Sequence, residues 1–145
     1  MEVIVGKYAG FCGGVKLAIQ KTEKAVEENS DIYCLGEVVH NKQIIESLET
    51  KGLKIVNQID EVPNNSKMII RAHGEPEKTY KIAEEKNIEI IDTTCGNVKL
   101  IHDKAKKASK DSFVIVVGEK NHPEVLGTLG FAGENSYVIE DENDI

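Results

Sequence analysis

Cys12 lies in the stretch GFCGGVKLAI (residues 10–19), among three glycines and directly before a helix-like pattern. A structural cysteine usually packs on an apolar face; this one sits in backbone that offers no face to pack against. Four other residues of reactive type share its setting. His40 follows GEVV and precedes Asn41, a residue suited to cap a helix. His73 follows IIRA and is followed by Gly74, and Cys95 follows IIDTT at the start of another helical pattern. His122 follows VVGEKN and precedes Pro123 and Glu124, which fit a first helical turn. All five fall between the carboxyl end of an expected strand and the start of an expected helix, the edge where open α/β sheets bind ligands. The chain has three cysteines and four histidines, so only Cys34 and His102 fall elsewhere.

The chemistry open to these positions is specific. A thiolate at a helix N-terminus is stabilised by the helix dipole and by free amide groups. Flanking glycines let a bulky inorganic group approach the backbone. Two such cysteines are too few to close a zinc site, which takes four ligands, but they suit part of the ligand set of an iron–sulfur cluster. Histidines before helix N-termini suit a phosphate or diphosphate, because imidazolium and free amides both favour anionic oxygen. Glu124, two residues after His122, differs in kind. An acid beside bound phosphate oxygens and withdrawn from water is harder to ionise, which is what a general acid at neutral pH requires. Plainer readings stand beside these. Cys34 shares a strand face with Ile32 and reads as a buried structural thiol. His102 lies mid-helix beside Val98, Ile101 and Ala105 and reads as a packing or surface residue. Arg71, the sole arginine, suits an ion pair as well as a ligand contact.

The elements that carry these residues follow from apolar spacing that switches between two and 3.6. Strands are expected at 2–6, 31–39, 53–57, 67–72, 88–92, 112–118 and 136–140. Helices are expected at 15–28, 42–52, 75–87, 97–109 and 123–130, with Gly52 and Pro76 as stop and start signals. Strands alternating with helices imply an α/β fold built on a mainly parallel sheet. With 40% hydrophobic and 30% charged residues, the composition is that of a globular protein with a core. The net charge of −7 argues against nucleic-acid binding, so an anionic ligand must be held by local groups. No apolar run is long enough to span a membrane, and the MEVIVGKYAGF start lacks the features of a signal peptide. The expected compartment is the cytoplasm, where thiols stay reduced.

The stretches GFCGGVKLAI, GEVVHNKQIIESLETKG, IIRAHGEP, DTTCGNVKLIH and GEKNHPEVLGTLG, in this order, resemble the 4-hydroxy-3-methylbut-2-enyl diphosphate reductases, the IspH/LytB family. The resemblance runs the length of the chain. It implies repeated small units of mainly parallel sheet flanked by helices, three in the family, around a 4Fe–4S cluster held by one cysteine per unit. Residues 1–93 match the first unit, with Cys12, His40 and His73. Residues 94–145 match an incomplete second, with Cys95, His122 and Glu124. The implied activity is reductive removal of an allylic hydroxyl to give isopentenyl and dimethylallyl diphosphate, the last step of the non-mevalonate isoprenoid route. Cys12 and Cys95 match cluster ligands, His40, His73 and His122 match histidines around the substrate diphosphate, and Glu124 matches the proton-supplying acid. An external electron donor such as ferredoxin or flavodoxin is implied as partner. Cys34 and His102 match no family role.

The chain departs from the family pattern at three points. Gly96 stands where the family usually has proline. The third cysteine is missing, as are the later threonine and serine–asparagine cluster that complete the family's diphosphate pocket. The spacing from Cys12 to Cys95 puts a third cysteine well beyond residue 145, so the sequence reads as the N-terminal part of such a reductase, inactive alone. Two other function classes fit the same residues. One is a zinc phosphoesterase with His40, His73 and His122 as ligands and Glu124 as base, although no HxH or HExxH signature is present. The other is a non-catalytic module that keeps only the diphosphate half-site.

Overall fold

A computed structural model describes residues 1–7 and 9–145. The chain order is helix α1 (Gly13–Glu28), strand β1 (Ile32–Leu35), α2 (Lys42–Thr50), β2 (Leu53–Val56), a short 3-10 turn (Ile59–Glu61), β3 (Lys67–Ile70), α3 (Glu77–Glu85) and β4 (Glu89–Asp92). It continues with α4 (Gly96–Ala108), β5 (Val114–Val117), α5 (Pro123–Ala132) and β6 (Ser136–Ile139). Four strands pair in parallel in the order β2-β1-β3-β4, and β5 pairs in parallel with β6.

Period-two alternation sorts the four-stranded sheet into two apolar layers. Ile32, Cys34 and Ile69 face one way and meet Ala18, Val26, Ile45 and Leu48 of α1 and α2. Leu35, Met68 and Ile70 face the other way and meet Ile59, Val62, Ala83 and Ile88. Ile32, Ile69 and Ile70 are fully buried, each contributing roughly 1.5–3 kcal/mol of hydrophobic stabilisation. Register fixes this layering, with Cys34 opposite Ile55 on one side and Ile69 on the other.

Two features of this order position the site. The chain leaves β1 toward β2 on one side, while β3 continues the sheet on the other, so the loops after β1 and β3 diverge and leave a crevice at the carboxyl edge. Short elements end on residues with capping chemistry: the Asn41 side chain accepts from the Ile44 N–H at 3.2 Å, and Pro123 opens α5. One expected element is absent. Residues 2–6 form no strand, and Val3, Ile4 and Val5 are 74%, 84% and 79% exposed. An all-apolar run needs partner strands and two covering faces to be stable as a strand, and among the described residues this one has neither. Cys12, expected to follow that strand, instead stands at the N-cap position of α1 with no strand before it.

Candidate functional site

Backbone hydrogen bonds beyond the strand ends stitch the loops together. The Ala72 N–H donates to the Val38 carbonyl at 3.4 Å, and the Cys95 N–H donates to the Ala72 carbonyl at 2.9 Å. His40, His73 and Cys95 are therefore carried on three adjoining segments of one edge. The His40 and His73 rings lie 4.5 Å apart between centroids, tilted by 41°. His122, delivered by the loop from β5 to α5, meets His73 edge-on at 6.1 Å and 89°. The three histidines expected at a diphosphate thus share one location, although two precede residue 93 and one follows it.

The cysteines also approach one another. Cys12 is the N-cap of α1 and Cys95 the N-cap of α4. The Cys95 sulfur lies against the first turn of α1, since a Cβ on Gly14 would sit 2.8 Å from Cys95 Sγ. A Cβ on Gly13 or Gly96 would meet nothing within 4 Å, so open space adjoins the glycine that follows each cysteine. Gly96 begins α4 where the family pattern has proline. Cys34 is different: it is fully buried in β1, and burial pushes its thiol up to about 12, with Arg71 partly opposing. It is a core residue and no candidate ligand. Among the described residues, no three His, Cys, Asp or Glu side chains are placed to close around one metal ion, so the zinc ligand set considered from sequence is not assembled.

The histidines differ in state. His73 is held down at about 4 by burial first, then by the charges of His40, Arg71 and His122. Its ring is therefore neutral near pH 7, and its buried Nδ1 has no hydrogen-bond partner among the described residues. His40 is exposed, with Nδ1 3.7 Å from Glu37 Oε2. A cleft of about 720 Å³ opens beside it, lined by Gly36, Glu37, Asn41 and Lys42 among others. His122 caps its own helix: the Glu124 N–H donates to His122 Nδ1 at 3.2 Å. That bond fixes the neutral ring with its proton on Nε2, a donor pointing away from the helix. Glu124 is exposed in the first turn of α5.

The sequence reading missed Glu75. Arg71 Nε donates to Glu75 Oε1 at 2.8 Å, with side chains only 19% and 7% exposed. The pair bridges the turn that presents His73. Burial raises the Glu75 carboxyl and the Arg71 charge lowers it, with burial ahead. The guanidinium also reaches the loop of His40, because a Cβ on Gly36 would sit 2.5 Å from Arg71 Nη1. One partly buried side chain therefore props both histidine loops. The signal in sequence was the RAHGE spacing, an arginine and a glutamate four apart across a glycine. His102 is buried in α4, and burial lowers its affinity for a proton.

Comparison with known proteins bears on this arrangement. A family model described as LytB protein matches residues 3–145. The 4-hydroxy-3-methylbut-2-enyl diphosphate reductase of Clostridioides difficile is 48% identical over 141 residues, covering 96% of this chain and 50% of that protein. Its counterpart from Caldanaerobacter subterraneus subsp. tengcongensis is 36% identical over 144 residues, with 96% and 50% covered. Among solved structures, the E-1-hydroxy-2-methyl-but-2-enyl-4-diphosphate reductase of Plasmodium falciparum superposes with a TM-score of 0.90 at 33% identity, over 95% of this chain and 44% of that one. A second, an (E)-4-hydroxy-3-methyl-but-2-enyl diphosphate reductase described as the terminal enzyme of the non-mevalonate pathway, gives a TM-score of 0.82 at 36% identity, over 98% and 52%. The chain spans about half the length of the relatives it matches.

Proposed function

The chain belongs to the LytB family, and on that premise we propose that it supplies the half of a 4-hydroxy-3-methylbut-2-enyl diphosphate reductase that holds the substrate diphosphate and delivers a proton. Residues 1–93 serve as its first α/β unit and 94–145 as part of its second, in the cytoplasm, with an external donor such as ferredoxin or flavodoxin supplying electrons. In the reaction the allylic C–O bond breaks, the oxygen leaves as water and a C–H bond forms, consuming two electrons and two protons. The observation that carries this reading is the meeting of His40, His73 and His122 at the crevice between the loops after β1 and β3, with Cys95 packed against the helix that Cys12 caps.

His122 donates to a diphosphate oxygen from Nε2–H, the proton its helix-capping bond leaves outward. His73 offers the unpartnered Nδ1 and takes up a proton as the anion replaces water around it, because a nearby negative charge favours the imidazolium. His40 closes the other side of the group. Glu124, two residues after His122, holds the proton that the departing hydroxyl takes. Cys12 and Cys95 fit as two ligands of a 4Fe–4S cluster, being thiols at helix N-termini, each followed by a glycine that adjoins open space. When bound, that cluster would relay the donor's electrons and supply a Lewis-acidic iron.

Calorimetric titration of the chain with the substrate tests the binding half: Glu124→Gln leaves affinity nearly intact and His122→Ala weakens it. In a full-length reductase bearing this half, Glu124→Gln lowers anaerobic turnover by roughly 10²–10⁴ at unchanged cluster content. Parental turnover in Glu124→Gln would remove the proton-donor role, and affinity unchanged in His122→Ala would remove the diphosphate assignment.

A further inference from the structure

His102 has no part in the chemistry above, yet the protein is shaped around it. The residue lies in α4 and is 3% exposed. Its ring stacks on Phe131 of α5, with centroids 4.5 Å apart and planes at 20°. On one side its Cε1 faces the turn after His73, where a Cβ on Gly74 would come within 2.7 Å. On the other it faces α5, where a Cβ on Gly127 would lie 2.9 Å from Nε2 and 3.1 Å from Cε1.

Gly74 has a backbone reason to be glycine, a φ of +76°. Gly127 has none. It sits inside a helix, where glycine costs about 0.5–1 kcal/mol relative to alanine, and what a methyl group there would strike is the His102 ring. The socket therefore joins three things: the turn that presents His73, the helix that begins at His122, and α4. Because α4 starts beside Cys95 and His102 lies about 10 Å along its axis, the same rigid rod also carries the second thiol.

We propose that His102 is a positioning residue whose ring, wedged between Gly74 and Gly127, sets the placement of His122 and α5 against His73. This rests on the reading that these histidines hold a diphosphate, since it makes His102 the gauge of that site's width. The ring is needed as a shape. Neither a proton transfer nor a ligand contact is assigned to it.

The test uses the chain as it stands, with histidine rings isotope-labelled for NMR, and four proteins: wild type, His102→Ala, Gly127→Ala and the double variant. In wild type, nuclear Overhauser contacts connect His40 with His73 and His73 with His122. In each single variant the His73–His122 contact is lost while the His40–His73 contact persists, because Arg71 holds that pair independently. Affinity for inorganic diphosphate falls about tenfold in each single variant. In the double variant the loss stays near tenfold and is not multiplied, since both changes act on one socket. General loosening of the fold would erase both ring contacts together, and that result overturns the proposal. So does a His73–His122 contact unchanged in His102→Ala, or affinity losses that multiply. Should His102→Ala fail to fold, Gly127→Ala keeps the ring and decides alone. If wild type binds no diphosphate, the functional reading falls, and the ring contacts still decide the role of His102.

Discussion

Acidification is expected to destabilise this protein through His73. Its ring takes a proton at about 4 in the folded chain, against 6.5 for an ordinary histidine. Between those values the unfolded state holds more protons, so stability is fully present above 6.5 and falls as pH drops toward 4. At about 1.4 kcal/mol per pH unit, the ceiling for the loss is about 3.4 kcal/mol. The ring is only partly withdrawn from water, and solvent screening reduces this to about 2 kcal/mol. His102 shifts in the same direction and the Glu75 carboxyl in the opposite one, so the effect must be read as a difference. Urea unfolding of wild type and His73→Gln between pH 4.5 and 7 isolates it. Wild type loses about 1.4 kcal/mol more than the variant across that window, which covers most but not all of the drop. Parallel pH profiles for the two proteins would refute the claim that the fold keeps His73 neutral.

The buried Arg71–Glu75 pair predicts that Arg71→Met costs about 3–5 kcal/mol by leaving a carboxylate without its partner, while Arg71→Met combined with Glu75→Gln costs markedly less; chemical denaturation of all three variants checks the coupling. Gly36→Ala combines a φ of +70° with a methyl group 2.5 Å from Arg71 Nη1, so calorimetric melting should show a loss of about 1–3 kcal/mol. Iodoacetamide at pH 7.5 should alkylate exposed Cys12 in the folded chain and leave Cys34 unmodified until denaturant is added, read by mass spectrometry of the peptides.

Element type was legible in the sequence because apolar spacing is a local signal. The helix over 97–109 appears as Gly96–Ala108, and the strand over 67–72 ends at Ile70 because its last two residues turn into the histidine loop. Residues 2–6 carry the same apolar signal as β5 and pair with nothing described, since a strand is completed by neighbours that the stretch itself does not encode. His40, His73 and Cys95 follow strands of the four-stranded sheet at its carboxyl edge, as their spacing implies, and His122 follows β5 of the two-stranded sheet. That His122 would meet His73 was not legible there, because the contact depends on how α5, the helix that begins at His122, packs against α4, and neither histidine's own stretch encodes that packing. Glu75 escaped for a related reason: the positive φ at Gly74 folds Arg71 and Glu75 together without a helix between them. For His102 the sequence leaves packing and surface both open, and the structure buries it; that its ring defines two glycines is visible only in three dimensions.

On the proposed reading an acidic chain has to hold an anion, and its electrostatics bear on how. The net charge is −7, and the sole arginine is paired with Glu75. Near pH 7 the His73 ring carries no charge, and the Nδ1 of His40 lies 3.7 Å from a Glu37 carboxylate oxygen. Neither Arg71 nor His73 therefore gives the free site an unpaired positive charge. What it has are donors: the Nε2–H of His122 and the opening amides of α1 and α4, the helices that begin at Cys12 and Cys95. Such donors are directional, and helix N-termini bind anions without a formal charge. The remaining attraction comes from the ligand itself, because an incoming anion favours protonation of His73. A site made this way discriminates by where oxygen atoms fall, more than by how much charge arrives. That places the selectivity in the spacing between His73 and His122, which the Gly74 and Gly127 socket around His102 controls.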